Sequence, residues 1–302
     1  MKMKLELKGI QKSFGEKKVL QDISFSAEGG RAFGLLGRNG AGKTTTIRIL
    51  MGVFPPDAGD VLLEGRPLNV NQIGMGYLPE ERGLYPKKKI LDQLIYFAQL
   101  KGMNRQAAKR SVEGWLERLG MIEYRDKKLD TLSKGNQQKI QLITALAHNP
   151  QIIILDEPFS GLDPVNAMLL KEVVKEEIAK GKILLFSSHQ MNYIEEFCDS
   201  IAILNQGSIV LQGNLNHLKR NYTRDRLVVS SENKEKIVKD WGSCCTCSEN
   251  GELIIHLTSP QEKQKVMRQL TENYDIDGIR VFEPSLNDIF VEYTGGLDDE
   301  AV

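Results

Sequence analysis

The segment that most constrains the fold of this 302-residue chain is GRNGAGKT at Gly37–Thr44. Its spacing matches G-x-x-x-x-G-K-[ST], a loop that wraps a polyphosphate with successive backbone N–H groups. Such a loop needs unusual backbone angles, which the glycines at 37, 40 and 42 adopt without steric cost. The lysine at 43 would reach the β- and γ-phosphates, and the Thr44 hydroxyl would hold magnesium. The segment therefore predicts a nucleotide triphosphate site.

The flanking sequence predicts a strand before this loop and a helix after it. Arg31–Leu36 is mostly apolar, and Thr44–Met51 is followed by the helix-ending residues Gly52 and Pro55. The helix N-terminus would then face the anion. A dinucleotide fingerprint is excluded, because Asn39 prevents G-x-G-x-x-G from fitting. The predicted nucleotide-binding residues of the loop are Gly37, Arg38, Asn39, Gly40, Ala41, Gly42, Lys43, Thr44 and Thr45.

Composition narrows the class of protein without identifying a partner. A 41% hydrophobic content suits a globular core, and the length suits one large domain or a large and a small one. Forty basic and forty acidic residues cancel, so we expect no nucleic acid partner. The longest apolar runs, Ile152–Leu155 and Ile183–Phe186, are far shorter than the roughly 18 residues of a spanning helix. The N-terminus lacks the apolar core of a signal peptide, which predicts a cytosolic chain.

Three of the four cysteines are close together, at Cys244, Cys245 and Cys247. The spacing is not C-x-x-C, and no histidine pair accompanies it, so we interpret them as small residues of a strand rather than a metal site.

The first strands carry a candidate adenine contact. Leu5, Leu7 and Ile10 alternate as in a strand, and Leu20–Phe25 predicts a second one. Phe14 lies in the turn between them, where its ring would either stack on an adenine or cap the local core. The spacing alone leaves both interpretations open.

A helical region separates two predicted groups of strands. Gly59–Leu63 and Ile73–Leu78 predict strands, whereas Ile90–Leu119 carries apolar residues at helical spacing. Leu132–Asn136 then opens a long helix with Ser133 as its N-cap and with Gly135 leaving room for close approach. A helix N-terminus of this kind is either a plain cap or an anion site.

The next segment supplies two carboxylates at the end of a buried strand. Gln151–Leu155 is mostly apolar and β-branched, typical of a buried parallel strand, and it ends in Asp156 and Glu157. Ligands of open α/β sheets bind at this edge. We expect Asp156 to hold magnesium, and Glu157 to accept a proton from an attacking water.

Two further polar residues follow. Asp163 suits the N-cap of a helix that starts at Pro164. His189 follows the predicted strand Ile183–Ser187, and it is either structural or placed at the γ-phosphate and its water. Beyond Arg220, the predicted order of elements is βαββαβ, typical of a ferredoxin-like module, with Ser285–Tyr293 as a closing amphipathic helix.

Taken together, the residues resemble the ATP-binding cassette ATPases, the motor subunits of ABC transporters, over about residues 3–220. The resemblance rests on the Phe14 aromatic, GRNGAGKTT, LSKGN, QIIILDEP, SGLD and His189, in that order. It implies a dimer in which ATP lies between the loop of one chain and Ser133–Gly135 of the other. It also implies that Glu157 is the general base, that Lys43 and His189 act at the γ-phosphate, and that Asp163 communicates across the dimer.

The resemblance also implies partners and a location. The chain would form a homodimer, or a heterodimer with a paralogue, and would power an integral membrane permease from the cytoplasmic face of the membrane. ATP and Mg²⁺ would be its cofactors. The C-terminal module resembles the extension of multidrug- and sodium-efflux exporters, with dimer support or packing favoured over ligand sensing.

Two positions depart from the family pattern. Glu80 stands where the family usually has a glutamine that senses magnesium and the permease, and a carboxylate binds metal more strongly but cannot donate a hydrogen bond. The LSKGN segment replaces LSGGQ, which changes Lys134 and Asn136 but keeps the serine and glycine. We expect hydrolysis to survive.

The predicted fold class is α/β: a P-loop NTPase cassette, with a mixed sheet, an antiparallel β subdomain and a helical insertion at about 82–135, plus a small C-terminal α+β ferredoxin-like domain. The predicted boundaries are 1–221 for the cassette, 222–295 for the accessory domain and 296–302 for a disordered acidic tail. Two other functions remain open: a soluble cassette protein acting on ribosomes or DNA, and a non-catalytic nucleotide-binding regulator.

Overall fold

A computed structural model describes residues 3–70, 72–80, 83–160, 162–221, 225–247 and 252–295. The predicted acidic tail therefore lies outside the described residues. The chain divides into two compact units, residues 1–214 with 290–302, and residues 215–289.

The first unit contains ten strands and six helices among the residues described. In chain order these are β1 (Lys4–Phe14), β2 (Lys17–Glu28), β3 (Arg31–Gly37), α1 (Lys43–Leu50), β4 (Ala58–Leu63), β5 (Arg66–Pro67), β6 (Met75–Leu78), α2 (Ile90–Leu100), α3 (Arg105–Arg118), α4 (Lys134–Leu146), β7 (Ile152–Asp156), α5 (Pro164–Ala179), β8 (Ile183–Ser187), α6 (Met191–Phe197), β9 (Cys198–Asn205) and β10 (Ser208–Asn214).

The central sheet has the strand order β10-β9-β3-β8-β7-β6. All neighbours in it are parallel except β10 and β9, which pair antiparallel. The carboxyl ends of β3, β6, β7 and β8 therefore meet at one edge, where open α/β sheets bind ligands.

The central strands β7 and β8 form because their side chains are buried on both faces of the sheet. Every residue of Ile152–Asp156 and Ile183–Ser187 is buried. Each fully buried aliphatic side chain contributes about 1.5–3 kcal/mol relative to exposure. A second sheet, β2-β1-β4-β5, is antiparallel, and its residues Leu5, Leu7 and Ile10 share a hydrophobic core with the central sheet.

The helical insertion lies between β6 and β7 and begins with two helices rather than one continuous helical segment. Gly102 adopts a φ of 90°, and Asn104 caps α3 by accepting a hydrogen bond from the Ala107 N–H at 2.9 Å. These two residues end one helix and start the next. The strand predicted at Ile73 begins at Met75.

Helix α4, which follows Ser133 of the LSKGN segment, packs directly on β6. A Cβ on Gly76 would lie 2.2 Å from the carbonyl oxygen of Ala145, so only glycine allows this approach. The Gln141 side chain also donates to the Pro79 carbonyl at 3.2 Å.

The second unit has the predicted ferredoxin-like sheet, an antiparallel sheet formed in spatial order by the strands Cys245–Cys247, Leu253–His256, Arg226–Ser230 and Gly278–Val281. Its core contains Leu227, Val229, Leu253, Ile255 and Leu270. The cysteine strand is shorter than predicted, because Gly242–Cys244 forms a 3-10 turn. Its elements are α7 (Leu215–Asn221), β11 (Arg226–Ser230), α8 (Lys234–Trp241), β12 (Cys245–Cys247), β13 (Leu253–His256), α9 (Lys263–Asn273), β14 (Gly278–Val281) and α10 (Leu286–Thr294), whose last residues belong to the first unit.

Among the described residues, no helix is both long and apolar enough to cross a bilayer.

Candidate functional site

The phosphate loop (Gly37–Thr44) connects β3 to α1 through positions that only glycine occupies without strain. Gly37 and Gly42 have φ angles of 155° and 111°. A Cβ on Gly37 would lie 2.6 Å from the Leu204 carbonyl oxygen, and one on Gly42 would lie 2.5 Å from a Leu20 methyl. No side chain caps α1, so its first N–H groups are available to an anion.

Lys43 folds back over this loop. Its ammonium group donates to the carbonyl oxygens of Gly37 at 2.7 Å and Arg38 at 3.3 Å. Burial lowers the pKa of Lys43, whereas the charges of Glu157, Asp156 and Glu80 oppose that shift. One cation therefore lies within electrostatic reach of three carboxylates.

The other loop residues differ in exposure. Asn39, Gly40 and Thr44 are exposed, Ala41 is buried, and Thr45 is half-buried. The guanidinium of Arg38 donates to the carbonyl oxygen of Gly295 at 2.6 Å.

Asp156 ends β7 as a buried carboxylate with two hydroxyl partners. Ser187 lies opposite it in the β7–β8 register, and the Ser187 hydroxyl donates to Oδ1. The Tyr77 hydroxyl donates to Oδ2 at 3.4 Å. Burial raises the pKa of Asp156, and burial followed by the Asp156 charge raises the pKa of Tyr77 to about 12. These two hydrogen bonds fix the orientation of the Asp156 carboxylate.

Glu157 is also buried, at 6% exposure, in a backbone conformation that non-glycine residues rarely adopt, with a φ of 48°. Its Oε2 accepts from the Ser188 hydroxyl at 2.9 Å, and its Oε1 accepts from the His189 backbone N–H at 2.7 Å. The His189 ring nitrogen Nδ1 lies 2.8 Å from the same Oε1, and that ring is 67% exposed. The structure therefore brings the predicted base and the predicted histidine together.

Glu80 follows β6 after Pro79 and is exposed at the same edge of the sheet. Its charge acts on Lys43. Thr44, Asp156 and Glu80 offer hard oxygen donors of the type that Mg²⁺ binds, although no three His, Cys, Asp or Glu side chains of the described residues form a metal-binding group by themselves.

The signature segment (Leu132–Asn136) lies beside Asp163 rather than Lys43. Ser133 is exposed and accepts from the Asn136 N–H at 3.4 Å, whereas Gly135 is buried. A Cβ on Gly135 would lie 2.8 Å from the Asn166 amide nitrogen. That amide donates to Asp163, whose other oxygen accepts from the Asn166 N–H at 3.0 Å and whose pKa this N–H lowers. Among the described contacts, none joins Ser133, Gly135 or Asp163 to Lys43.

Phe14 is 51% exposed, so its ring does not cap a closed core. It packs edge-to-face on Phe54 with centroids 5.5 Å apart, and the Lys12 ammonium lies 5.7 Å from its centroid. The exposed face remains available for stacking.

Three residues that contact the carboxylates, Tyr77, Ser187 and Ser188, were missed in the sequence. The signal that could have identified the two serines is their place at the end of an apolar strand directly before His189. Tyr77 carries no comparable signal, because its side-chain partner depends on the strand order.

Comparisons with known proteins identify the family to which the chain belongs. A sequence profile of the family described as ABC transporter matches residues 20–160. YhaQ of Bacillus subtilis (strain 168), an uncharacterized ABC transporter ATP-binding protein, is 41% identical over 295 residues, which cover 97% of this chain and 99% of YhaQ. The chain belongs to this family of ABC transporter ATP-binding proteins. The predicted family, fold class and ATPase activity are thus confirmed.

The C-terminal part of this ABC ATPase, residues 213–294, matches a second profile, described as the C-terminal domain of DrrA1-3-like ATP-binding proteins. The linearmycin resistance ATP-binding protein LnrL of Bacillus subtilis (strain 168) is 31% identical, covering 96% of this chain and 98% of LnrL. The Nod factor export ATP-binding protein I of Rhizobium sp. (strain N33) is 30% identical, covering 97% and 98%. A solved ATP-binding subunit of an ABC transporter has a TM-score of 0.66 and 31% identity, covering 72% of this chain and 92% of that one.

Proposed function

We propose that this ABC ATPase is the motor subunit of an exporter and that it drives a separate integral membrane permease from the cytoplasmic face of the membrane. The observation that carries the proposal is the arrangement of Glu157, which is buried, hydrogen-bonded and placed one residue after Asp156 at the sheet edge that holds the phosphate loop. A fixed, buried carboxylate at that position is suited to take a proton from water that attacks the γ-phosphate.

In this mechanism, the N–H groups of Gly40–Thr44 bind the phosphates, and the Lys43 ammonium exchanges its loop carbonyls for phosphate oxygens. The exposed ring of Phe14 stacks on the base. Thr44, Asp156 and Glu80 would hold Mg²⁺, which would neutralise charge on the phosphates. Glu157 orients the water. The exposed ring of His189, next to Glu157, contacts the γ-phosphate.

The two halves of the site belong to two chains. Ser133 is exposed at the N-terminus of α4, and its segment contacts Asp163 and Asn166 rather than the phosphate loop of its own chain. We infer that Ser133 and Gly135 bind the ATP that the loop of a second copy, or of a paralogue, holds. Asp163 beside Gly135 would then report on the opposite site.

The site at which the permease docks is an apolar cavity of about 280 Å³ in the first unit. The walls of the cavity include the end of β6, the segment after β6, and helices α2 and α4. A permease side chain inserted into the cavity would therefore contact Pro79, the residue before Glu80. Export rather than import is favoured by relatives named for resistance and for export. Among the residues that line the cavity are Tyr77, Leu84, Phe97, Leu100, Ala145 and His148.

The decisive experiment measures ATP hydrolysis and mass of the purified full chain by multi-angle light scattering, with and without MgATP, for the wild type and Glu157→Gln. We expect turnover in the wild type and an ATP-dependent dimer in the variant. A wild type that does not hydrolyse ATP, together with a variant that stays monomeric in MgATP, would exclude the motor function.

A further inference from the structure

Two lysine-rich segments of the helical insertion are paired with each other by their backbones. Lys89 and Lys128 lie opposite one another in an isolated antiparallel bridge. The Ile90 N–H donates to the Lys127 carbonyl at 3.0 Å, and the Asp130 N–H donates to the Pro86 carbonyl at 3.0 Å. The pairing gathers five exposed lysines, which we call the lysine patch: Lys87, Lys88, Lys89, Lys127 and Lys128.

A buried glutamine fixes the first of these segments. Gln93 is only 3% exposed, and its amide accepts from the Tyr85 N–H at 3.2 Å and donates to the Lys88 carbonyl at 3.3 Å. The lysines therefore extend from an ordered backbone, which reduces the conformational entropy lost when they bind a surface.

The charge of the patch is largely uncompensated within the chain. In the part of the chain that the structure describes, no carboxylate oxygen lies within 4 Å of any of the five ammonium groups. Asp126 pairs instead with Arg125 at 3.3 Å. The segments 83–89 and 124–130 hold six cationic residues against two carboxylates, a formal charge of +4 in a chain whose net charge is zero.

Aromatic and apolar side chains adjoin the patch. Tyr85 is 51% exposed and stacks on Phe97 with centroids 5.9 Å apart, and Tyr96 packs on the same ring. Leu100, one turn after Tyr96 on α2, is 63% exposed. The tyrosine rings suit the boundary between water and lipid, where one end is apolar and the other is solvated.

We propose that the lysine patch binds the anionic headgroups of the membrane next to the permease, with Tyr85, Tyr96 and Leu100 at the lipid boundary. The position at the membrane rests on the proposed function, because the patch begins two residues after Tyr85, and Leu84 and Leu100 line the cavity assigned to the permease. A lipid surface fits these residues better than a nucleic acid does. Transfer of the exposed Leu100 side chain from water into lipid is favourable, whereas a phosphodiester backbone offers it no apolar surface.

The test is sedimentation of the full chain with two kinds of vesicle, in about 0.1 M salt and without any permease. One kind contains phosphatidylcholine alone, and the other contains phosphatidylcholine with 30% phosphatidylglycerol. We expect binding to the anionic vesicles only, with an affinity that falls as salt rises. Replacing Lys87, Lys88, Lys127 and Lys128 with glutamine should weaken that binding by about 100-fold or more.

The matched control changes the same charge elsewhere, by Lys17→Gln, Lys18→Gln, Lys236→Gln and Lys239→Gln. We expect this variant to bind anionic vesicles within about threefold of the wild type. Equal losses in both variants, equal binding to neutral vesicles, or displacement by equimolar polyuridylate would overturn the lipid assignment.

ATP hydrolysis of the same preparations separates this proposal from the proposed function. Normal hydrolysis by a patch variant that has lost vesicle binding supports the lipid surface. If the wild type hydrolyses ATP normally but does not bind anionic vesicles, the proposed lipid surface is wrong and the proposed motor function is unaffected.

Discussion

The backbone N–H of His189 and the carboxylate of Glu157 are joined by a hydrogen bond of 2.7 Å, and the His189 ring approaches the same oxygen at 2.8 Å. The strand register that sets Asp156 opposite Ser187 positions this contact, because Glu157 and Ser188 are the next residues after the two strands. The contact between carboxylate and histidine is thus positioned by β7 and β8, which end directly before Glu157 and Ser188.

Glu157→Gln should lower the ATP turnover number by about 10²- to 10⁴-fold while leaving ATP binding intact, because a general base is removed and the amide keeps the shape of the side chain. Turnover and fluorescent-nucleotide binding measure the two effects. Glu177→Gln, at another buried glutamate far along α5, controls for loss of a buried charge. Normal turnover by Glu157→Gln would show that another group is the base.

Lys43→Ala should weaken ATP binding by about 10- to 100-fold and lower turnover, since it removes a charge-assisted contact worth about 1.5–3 kcal/mol. Equilibrium titration with a fluorescent ATP analogue measures the affinity. Lys18→Ala, an exposed lysine of β2, should bind as the wild type does. If Lys43→Ala binds ATP as tightly as this control, the lysine does not contact the phosphates.

Glu80→Gln should raise the Mg²⁺ concentration needed for half-maximal hydrolysis by about two- to tenfold. The reason is that a neutral amide would replace one of the anionic side chains that would hold the metal. Electron paramagnetic resonance with Mn²⁺ and a non-hydrolysable nucleotide gives the same comparison without turnover. An unchanged metal dependence in both measurements would place Glu80 outside the metal site.

Gly135→Ala should displace the Asn166 side chain and weaken its bond to Asp163, because the added Cβ would lie 2.8 Å from the amide nitrogen. We expect a loss of about 0.5–2 kcal/mol in the free energy of unfolding, the usual cost of disturbing a helix N-cap. Urea denaturation measures it. Gly114→Ala on α3 has open space around its Cβ and should instead be neutral or stabilising by up to about 1 kcal/mol.

His148 should make the first unit less stable below neutral pH. Burial lowers its pKa from 6.5 to about 4, and its Nε2, 3.1 Å from the Met75 carbonyl, carries the ring proton. The unfolded chain therefore gains a proton first as the pH falls, so the stabilisation present above pH 6.5 is lost between pH 6.5 and 4, by about 2–3 kcal/mol. The difference in unfolding free energy between wild type and His148→Gln should shrink over this range. A constant difference would contradict the lowered pKa.

Much of the cassette could be predicted from local sequence. The buried strands Ile152–Asp156 and Ile183–Ser187 are continuous apolar runs, and the phosphate loop carries its own spacing. The partners of the carboxylates could not be predicted, because the Asp156–Ser187 bond depends on strand register and the Tyr77–Asp156 bond on strand order. The break between α2 and α3 carries local signals, the left-handed Gly102 and the N-cap Asn104, within a region whose apolar spacing is helical on both sides.

The contact of α4 with β6 has a mechanical consequence. With no side chain at Gly76 and with Gln141 bonded to the Pro79 carbonyl, these two elements have no compressible layer between them. We therefore expect a displacement of α4 to reach the end of β6, which would couple the helix that begins after Ser133 to the residue that precedes Glu80.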